Sequence, residues 1–164
     1  MKMKQFFYFF IIFSFVCITA CGPRVVHRWE DDKMEIGELS MLGVKEVLAG
    51  DRIRLDSDRI VQYIGINAPD IGEPFFEESL EANLFLLRRG KVFLQFKEPL
   101  KNNKGHYMAY AYIPAKGALC FLNRELLQFG YAKVDRNSQH TEYMEDFLEL
   151  EKHAKSQKLG IWKH

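Results

Sequence analysis

Cysteine is scarce and poorly placed for cross-linking. The chain has 3 cysteines in 164 residues. Cys17 lies inside an N-terminal apolar run and Cys21 at its end, which leaves Cys120 as the one thiol farther on. That count excludes a disulfide inside the remaining domain. An excess of charge of one sign is also missing, with 23 Lys and Arg against 22 Asp and Glu. Removing residues 1–20 takes Lys2 and Lys4 and no acid, so 21 basic residues then face 22 acidic ones, a net charge of −1. A strongly basic nucleic-acid binder is not indicated. No internal repeat or low-complexity tract is present. The apolar run is shorter than the roughly 20 residues that span a bilayer comfortably.

That run opens the positive reading. "MKMKQ" is basic, "FFYFFIIFSFVCITA" is continuously apolar, and Ala20 and Cys21 close it. This is the layout of a secretory signal. "ITAC" (residues 18–21) resembles a bacterial lipobox, which implies a lipid on Cys21; the competing reading is an uncleaved anchor helix. Both place the chain in the cell envelope, outside the cytoplasm and attached to a membrane. The expected division is a signal peptide over residues 1–20, a tether over 21–38, and one globular domain over 39–164.

Within the domain, apolar periodicity reads as three strands, a helix, two strands and two helices. "LGVKEVLA" is β-like, and Gly50-Asp51 marks a turn. "DRIRLDS" alternates, with Asp51, Ile53 and Leu55 on one face. "RIVQYIGI" is read with Ile60, Gln62, Ile64 and Ile66 on one face. "PFFEESLEANLFLLRRG" carries Pro74 and acids early, Arg88 and Arg89 late, and Gly90 as a stop. "KVFLQFK" and "HYMAYAYI" are β-rich. "ALCFLNRELLQFG" reads as a short helix with Leu119, Leu122 and Leu126 on one stripe. "TEYMEDFLELEKHAKSQKLG" reads as the last helix, with Thr141 as N-cap and Tyr143, Phe147 and Leu150 facing the core. The expected fold is α+β, a five-stranded OB-type barrel with three helices. Ile53, Leu55, Ile64, Ile66, Val92, Leu94, Phe96, Phe147 and Trp162 are expected in its core, and Cys120 as a small apolar residue.

Two polar residues interrupt these rows. A carboxylate on a core-facing row is expensive unless it lies at the rim, is paired, or binds a metal. Singly, Asp51 reads as a turn aspartate and Gln62 as a hydrogen-bonded amide, while Asn67 and Asp70 in "INAPD" read as turn formers. As a set they are more specific. Asp51 opens one strand, and Asn67 and Asp70 follow its hairpin partner, so an antiparallel pairing brings those ends together.

On "LAGDRIRL", "QYIGINAPD", "NKGHYMAYAYI", "LNRELLQFGYAKV" and "KLGIW", the chain resembles the staphylococcal nuclease-like (thermonuclease) family over residues 40–162. The resemblance implies an OB barrel with three helices. It also implies metal ligands at Asp51, Asn67 and the Ala68 carbonyl, a general base at Asp70, and phosphate clamps at Gln62 and His106. Nucleotide contacts fall on Asn103, Lys104, Arg136 and Ser138, and the first turn acid of the family falls on Ala49. The chain departs from the family pattern at most of these positions. Asn67 replaces an aspartate, Asp70 a glutamate, and Gln62 and His106 two arginines. Calcium prefers several oxygen ligands with carboxylates among them, so any Ca2+ site is expected to be weak. Phosphoryl transfer depends on cationic donors, and His106 is mostly neutral near pH 7.

The expectation is a monomeric lipoprotein whose hydrolysis is lost or strongly reduced, with a binding role for nucleic acid or a protein partner. The competing expectation is an active calcium-dependent endonuclease, in which Arg52, Arg59, Lys104 and Arg136 make good the missing arginines and Asp51 with Asp70 holds a metal.

Overall fold

The computed structural model describes residues 25–26, 37–115 and 117–163. The leader, Cys21 and most of the expected tether lie outside the described residues. Two residues of that tether form a short strand β1 (Val25–Val26), which pairs in parallel with the start of β2 (Leu39–Ala49).

β2 is the strand that closes the barrel. Its first half, Leu39 to Gly43, pairs antiparallel with β6 (Lys91–Lys101), and its second half pairs antiparallel with β3 (Arg52–Leu55). β3 turns back into β4 (Ile60–Tyr63), β4 runs parallel to β7 (Tyr107–Ala115), and β7 is antiparallel to β6. The circuit β2-β3-β4-β7-β6 returns to β2, a closed five-stranded barrel with no free edge in the ring. Three helices complete the expected fold: α1 (Phe76–Leu86), α2 (Leu122–Gln128) and α3 (Met144–Ser156). Two short pieces lie off the barrel. β5 (Ile66–Asn67) pairs with β9 (Lys133–Val134), and β8 (Ala118–Phe121) extends the sheet beyond β7.

Ile53, Leu55, Ile64, Ile66, Val92, Leu94, Phe96 and Phe147 are buried as expected. Trp162 is a correction: it sits half-buried in a 3-10 turn (Gly160–Trp162), with the Lys155 ammonium 4.3 Å from its ring. The face of β4 is a second correction. Val61 and Tyr63 point inward, whereas Ile60 and Gln62 are half-buried on the other side. The phase slips between Tyr63 and Ile64, which are adjacent and both buried, because β4 ends at Tyr63 and the chain turns through Ile64 and Gly65, the latter at φ +76°. A Cβ at Gly65 would also stand 2.9 Å from the Phe147 ring, so glycine is required there twice over.

Residues 118–121 form a strand rather than the start of a helix, because each pairs with a residue of β7, from Ala118 with Ala115 to Phe121 with Tyr112. The last helix begins at Met144, and Thr141 contributes only its carbonyl, which accepts from the Met144 N–H at 3.1 Å. Arg88 and Arg89 lie beyond the end of α1.

Buried amides bind the layers together. Asn123 on α2 donates to the Ile64 carbonyl at 2.8 Å and accepts from the Ala111 N–H at 3.0 Å, which joins the exit of β4 to the middle of β7. Asn83 on α1 donates to the Ala49 carbonyl at 2.8 Å and accepts from the Tyr63 hydroxyl at 3.2 Å. All these groups are inside the protein, where an unmade hydrogen bond would be costly. Asn83 thereby fixes α1 against the β2–β3 turn, where the candidate site begins.

Candidate active site

The β2–β3 turn lies so close to α1 that only glycine fits at position 50. A Cβ there would be 1.8 Å from the Ser79 hydroxyl oxygen and 2.8 Å from the Ala68 methyl. The next residue, Asp51, is driven inside and is only 2% exposed. Its carboxylate is surrounded by donors. Arg52 Nε donates to Oδ1 at 3.2 Å, while the Ala68 N–H and Gln62 Nε2 donate to Oδ2 at 3.3 and 3.5 Å. Burial pushes the Asp51 carboxyl above its ordinary range, against the lowering effects of the Arg52 charge and the Ala68 N–H.

Arg52 connects this aspartate to the segment after β5. Its Nη2 donates to Asp70 Oδ1, so one guanidinium holds both carboxylates. Burial works against the arginine's charge, but the Asp51 and Asp70 carboxylates outweigh it and hold Arg52 more firmly protonated. Asp70 itself is 57% exposed, and its N–H donates to Glu73 Oε2 at 2.7 Å.

Gln62 lies directly across from Arg52 in the β3–β4 ladder. Its amide nitrogen faces Asp51, and its carbonyl oxygen accepts from Asn102 Nδ2 at 2.8 Å. Asn102 also organises the β6–β7 loop: its Oδ1 accepts the N–H groups of Lys104 and His106 at 2.9 and 3.0 Å. His106 Nδ1 is buried without a hydrogen-bond partner among the described residues. Burial, aided by the charges of Arg52 and Lys104, holds this imidazole below its ordinary pKa, so it is neutral at pH 7.

Asp51, Gln62, Asp70 and His106 are therefore linked through Arg52, expected only as a stand-in for the missing arginines, and through Asn102, which did not stand among the expected site residues. Arg52 was legible as a nearby cation, but its bridging position was not. Asn102 sits in "KNNKGH", where an asparagine signals only a turn. Ala68 touches the cluster through its N–H. Asn67 is placed on β5 opposite Lys133 and lines a cavity of about 300 Å³ with Pro69, Glu73 and Trp162. Arg136 pairs with Glu151 at 2.5 Å, and Glu151 also accepts from Lys155 and from the Val134 N–H. Asn103 and Ser138 line a separate cavity of about 280 Å³ between the β6–β7 loop and the loop after β9. Cys120 is half-buried on β8, and burial pushes its thiol up to about 11, unsuited to nucleophilic chemistry.

The donors as arranged do not fit a calcium ion. Such an ion takes six to eight oxygens with carboxylates prominent among them. Both Asp51 oxygens are already taken up by N–H donors, Asp70 is held by the same guanidinium, and among the described residues no three His, Cys, Asp or Glu side chains converge. The surroundings do supply cations and an aromatic face. The Lys101 ammonium and Arg59 guanidinium lie 4.4 and 5.9 Å from the Tyr107 ring centre.

Comparison with known proteins agrees with the fold. The chain is 29% identical over 136 residues to the SPbeta prophage-derived endonuclease YokF of Bacillus subtilis, covering 76% of this chain and 45% of that protein. It is 30% identical over 110 residues to Endonuclease YncB of the same organism, covering 62% and 50%. To the uncharacterized protein MJ1439 of Methanocaldococcus jannaschii it is 38% identical over 78 residues, covering 46% and 37%. The chain thus spans half or less of the length of each of these relatives. The family model described as staphylococcal nuclease homologue matches residues 60–164. With that match over more than half its length and the closed barrel with three helices, the chain belongs to the staphylococcal nuclease family.

Proposed function

We propose that this is an envelope-tethered nuclease-family domain whose phosphodiester hydrolysis is lost or strongly reduced and whose barrel rim binds nucleic-acid phosphates. The reading is carried by Gln62. At a position where a guanidinium would receive transition-state charge it offers a neutral amide, engaged by Asp51 on one side and Asn102 on the other. His106, the second such position, is neutral as well. Lys101 and Arg59 beside Tyr107 support binding without hydrolysis, because cations contact phosphates and a ring can stack on a base. A protein partner at the same rim is the other occupant this reading allows.

The second reading, an active calcium-dependent endonuclease, is favoured by the names of two relatives and by the retained Asp51. Cleavage of single-stranded DNA by the purified domain, in calcium and in chelator, separates the two. The first reading expects little or no cleavage in both conditions, together with retention of the DNA in a salt-sensitive complex. Robust calcium-dependent cleavage that Asp51→Ala abolishes would establish the second.

Tethering rests on the basic start, the apolar run and "ITAC". The full-length chain is expected in the membrane fraction with a lipid on Cys21, and Cys21→Ala is expected to release it or block its processing. A membrane-bound product that keeps residues 1–20, or one indifferent to Cys21→Ala, would favour the anchor helix.

A further inference from the structure

Arg52 is in an unusual position for a strand residue. Successive side chains of a strand point to opposite faces, so Arg52 should lie away from Asp51. Instead Asp51 still belongs to the turn, and the Arg52 side chain folds back along it. Its Nε meets Asp51 Oδ1 at 3.2 Å, and its Nη2 meets Asp70 Oδ1 from a segment 18 residues farther along. The arginine side chain is only 18% exposed. A guanidinium cannot lose its proton under ordinary conditions and holds carboxylates in a fixed planar fork.

We propose that Arg52 is the resident cation of this site and excludes a divalent metal from it. The inference deepens the reading of this cluster as a nuclease-family site and rests on that reading. One guanidinium reaches both carboxylates, so the two acids stand within range of a single ion, and Arg52 occupies the place between them. It neutralises one of their two negative charges and repels any cation that approaches. Asp51 cannot turn a free oxygen elsewhere, because Ala68 N–H and Gln62 Nε2 hold the other one. The exclusion is therefore both electrostatic and steric.

The test is calcium binding by the full chain in detergent, monitored by titration calorimetry and by terbium luminescence sensitised by the protein's own aromatic residues. Arg52→Ala and Arg52→Gln are compared with the wild type; the glutamine variant keeps a polar stem against Asp51 should the alanine variant fold poorly. Both substitutions are expected to tighten calcium binding at least about tenfold, because a unit charge a few ångströms from the ion is removed. Adding Asp51→Asn to Arg52→Gln is expected to abolish the gain. Equal calcium affinity in the wild type and in a folded Arg52 variant would overturn the proposal, as would a gain that survives Asp51→Asn. Cleavage of single-stranded DNA is measured separately. Tighter calcium without cleavage supports the exclusion and counts against hydrolytic capacity at this site. Calcium-dependent cleavage by the wild type, abolished by Asp51→Ala, would overturn both the exclusion and the reduced-activity reading.

Discussion

Asn102 and Gln62, forty residues apart in the chain, meet amide to amide: Asn102 Nδ2 donates to Gln62 Oε1 at 2.8 Å. The same asparagine holds the N–H groups of Lys104 and His106, so one side chain ties the β6–β7 loop to the strand that faces Asp51. Asn102→Ala removes the acceptor of two backbone N–H groups and the partner of one half-buried amide. The expected cost is about 1–3 kcal/mol in global stability, on the scale of unsatisfied polar groups. Amide hydrogen exchange at Lys104 and His106 should accelerate more than exchange in β2 or β3. Uniform acceleration across the barrel would mean that Asn102 acts through global stability alone.

Ile64 tests the barrel itself. It is fully buried at the point where β4 leaves the barrel, with its N–H on the Ala109 carbonyl and its own carbonyl on Asn123. Truncation to alanine leaves the backbone bonds in place and opens a cavity, so a loss of roughly 2–5 kcal/mol is expected. Denaturant unfolding measures it directly. A change below about 0.5 kcal/mol would be the signature of a surface position and would contradict the packing.

The pH dependence of stability carries a definite sign. The His106 imidazole is held below its ordinary value by burial and by the charges of Arg52 and Lys104, and His140 is held low mainly by burial. Between the unfolded value near 6.5 and the lower folded value, the unfolded chain binds more protons than the folded one. Stability therefore falls as pH drops through that window and is complete above it. In His106→Gln the loss between about pH 7 and pH 5 should be shallower, because one of the two depressed imidazoles is gone. Chemical denaturation at a series of pH values provides the check, and superimposable slopes would rule out a depressed His106.

Some of this was legible in the sequence, and the reasons for the rest are physical. The burial of Asp51, Ile53 and Leu55 survives in the structure, the last two because β3 is regular and Asp51 because the tight turn at Gly50 drives it inside. The phase of residues 60–66 did not survive, because a pattern of period two cannot register that β4 ends at Tyr63 and the chain turns through Ile64 and Gly65. Residues 118–121 are good helix formers locally, and only their distant pairing with β7 makes them a strand. The Arg52 bridge was hidden for a related reason. Alternation places adjacent residues on opposite faces, and the turn geometry that defeats this rule depends on α1 pressing against Gly50. Asp51 could be recognised from the polar interruption of its row, but the donors that saturate it come from three separate positions, Arg52, Gln62 and Ala68.

The last prediction restores what the site lacks. Gln62 and His106 both approach the cluster without a positive charge, and arginine clamps in phosphoryl transfer are worth roughly 10³ to 10⁵ in rate. Gln62→Arg with His106→Arg should therefore raise calcium-dependent cleavage of single-stranded DNA. The gain should fall well short of that range while Arg52 still occupies the space between Asp51 and Asp70. Adding Arg52→Gln should multiply it, since the clamps and the metal contribute to different parts of the same charge problem. Asp70→Glu should raise it again, by lengthening the base by one methylene. Misplacement near 1 Å can cost on the order of 10²-fold, so the step from Asp70→Glu should be as visible as the others. Initial rates in calcium and in chelator, measured in this order of substitution, give the result. Rates that stay flat through the whole series, in variants shown to be folded and to bind calcium, would mean that positive charge at positions 62 and 106 does not limit hydrolysis.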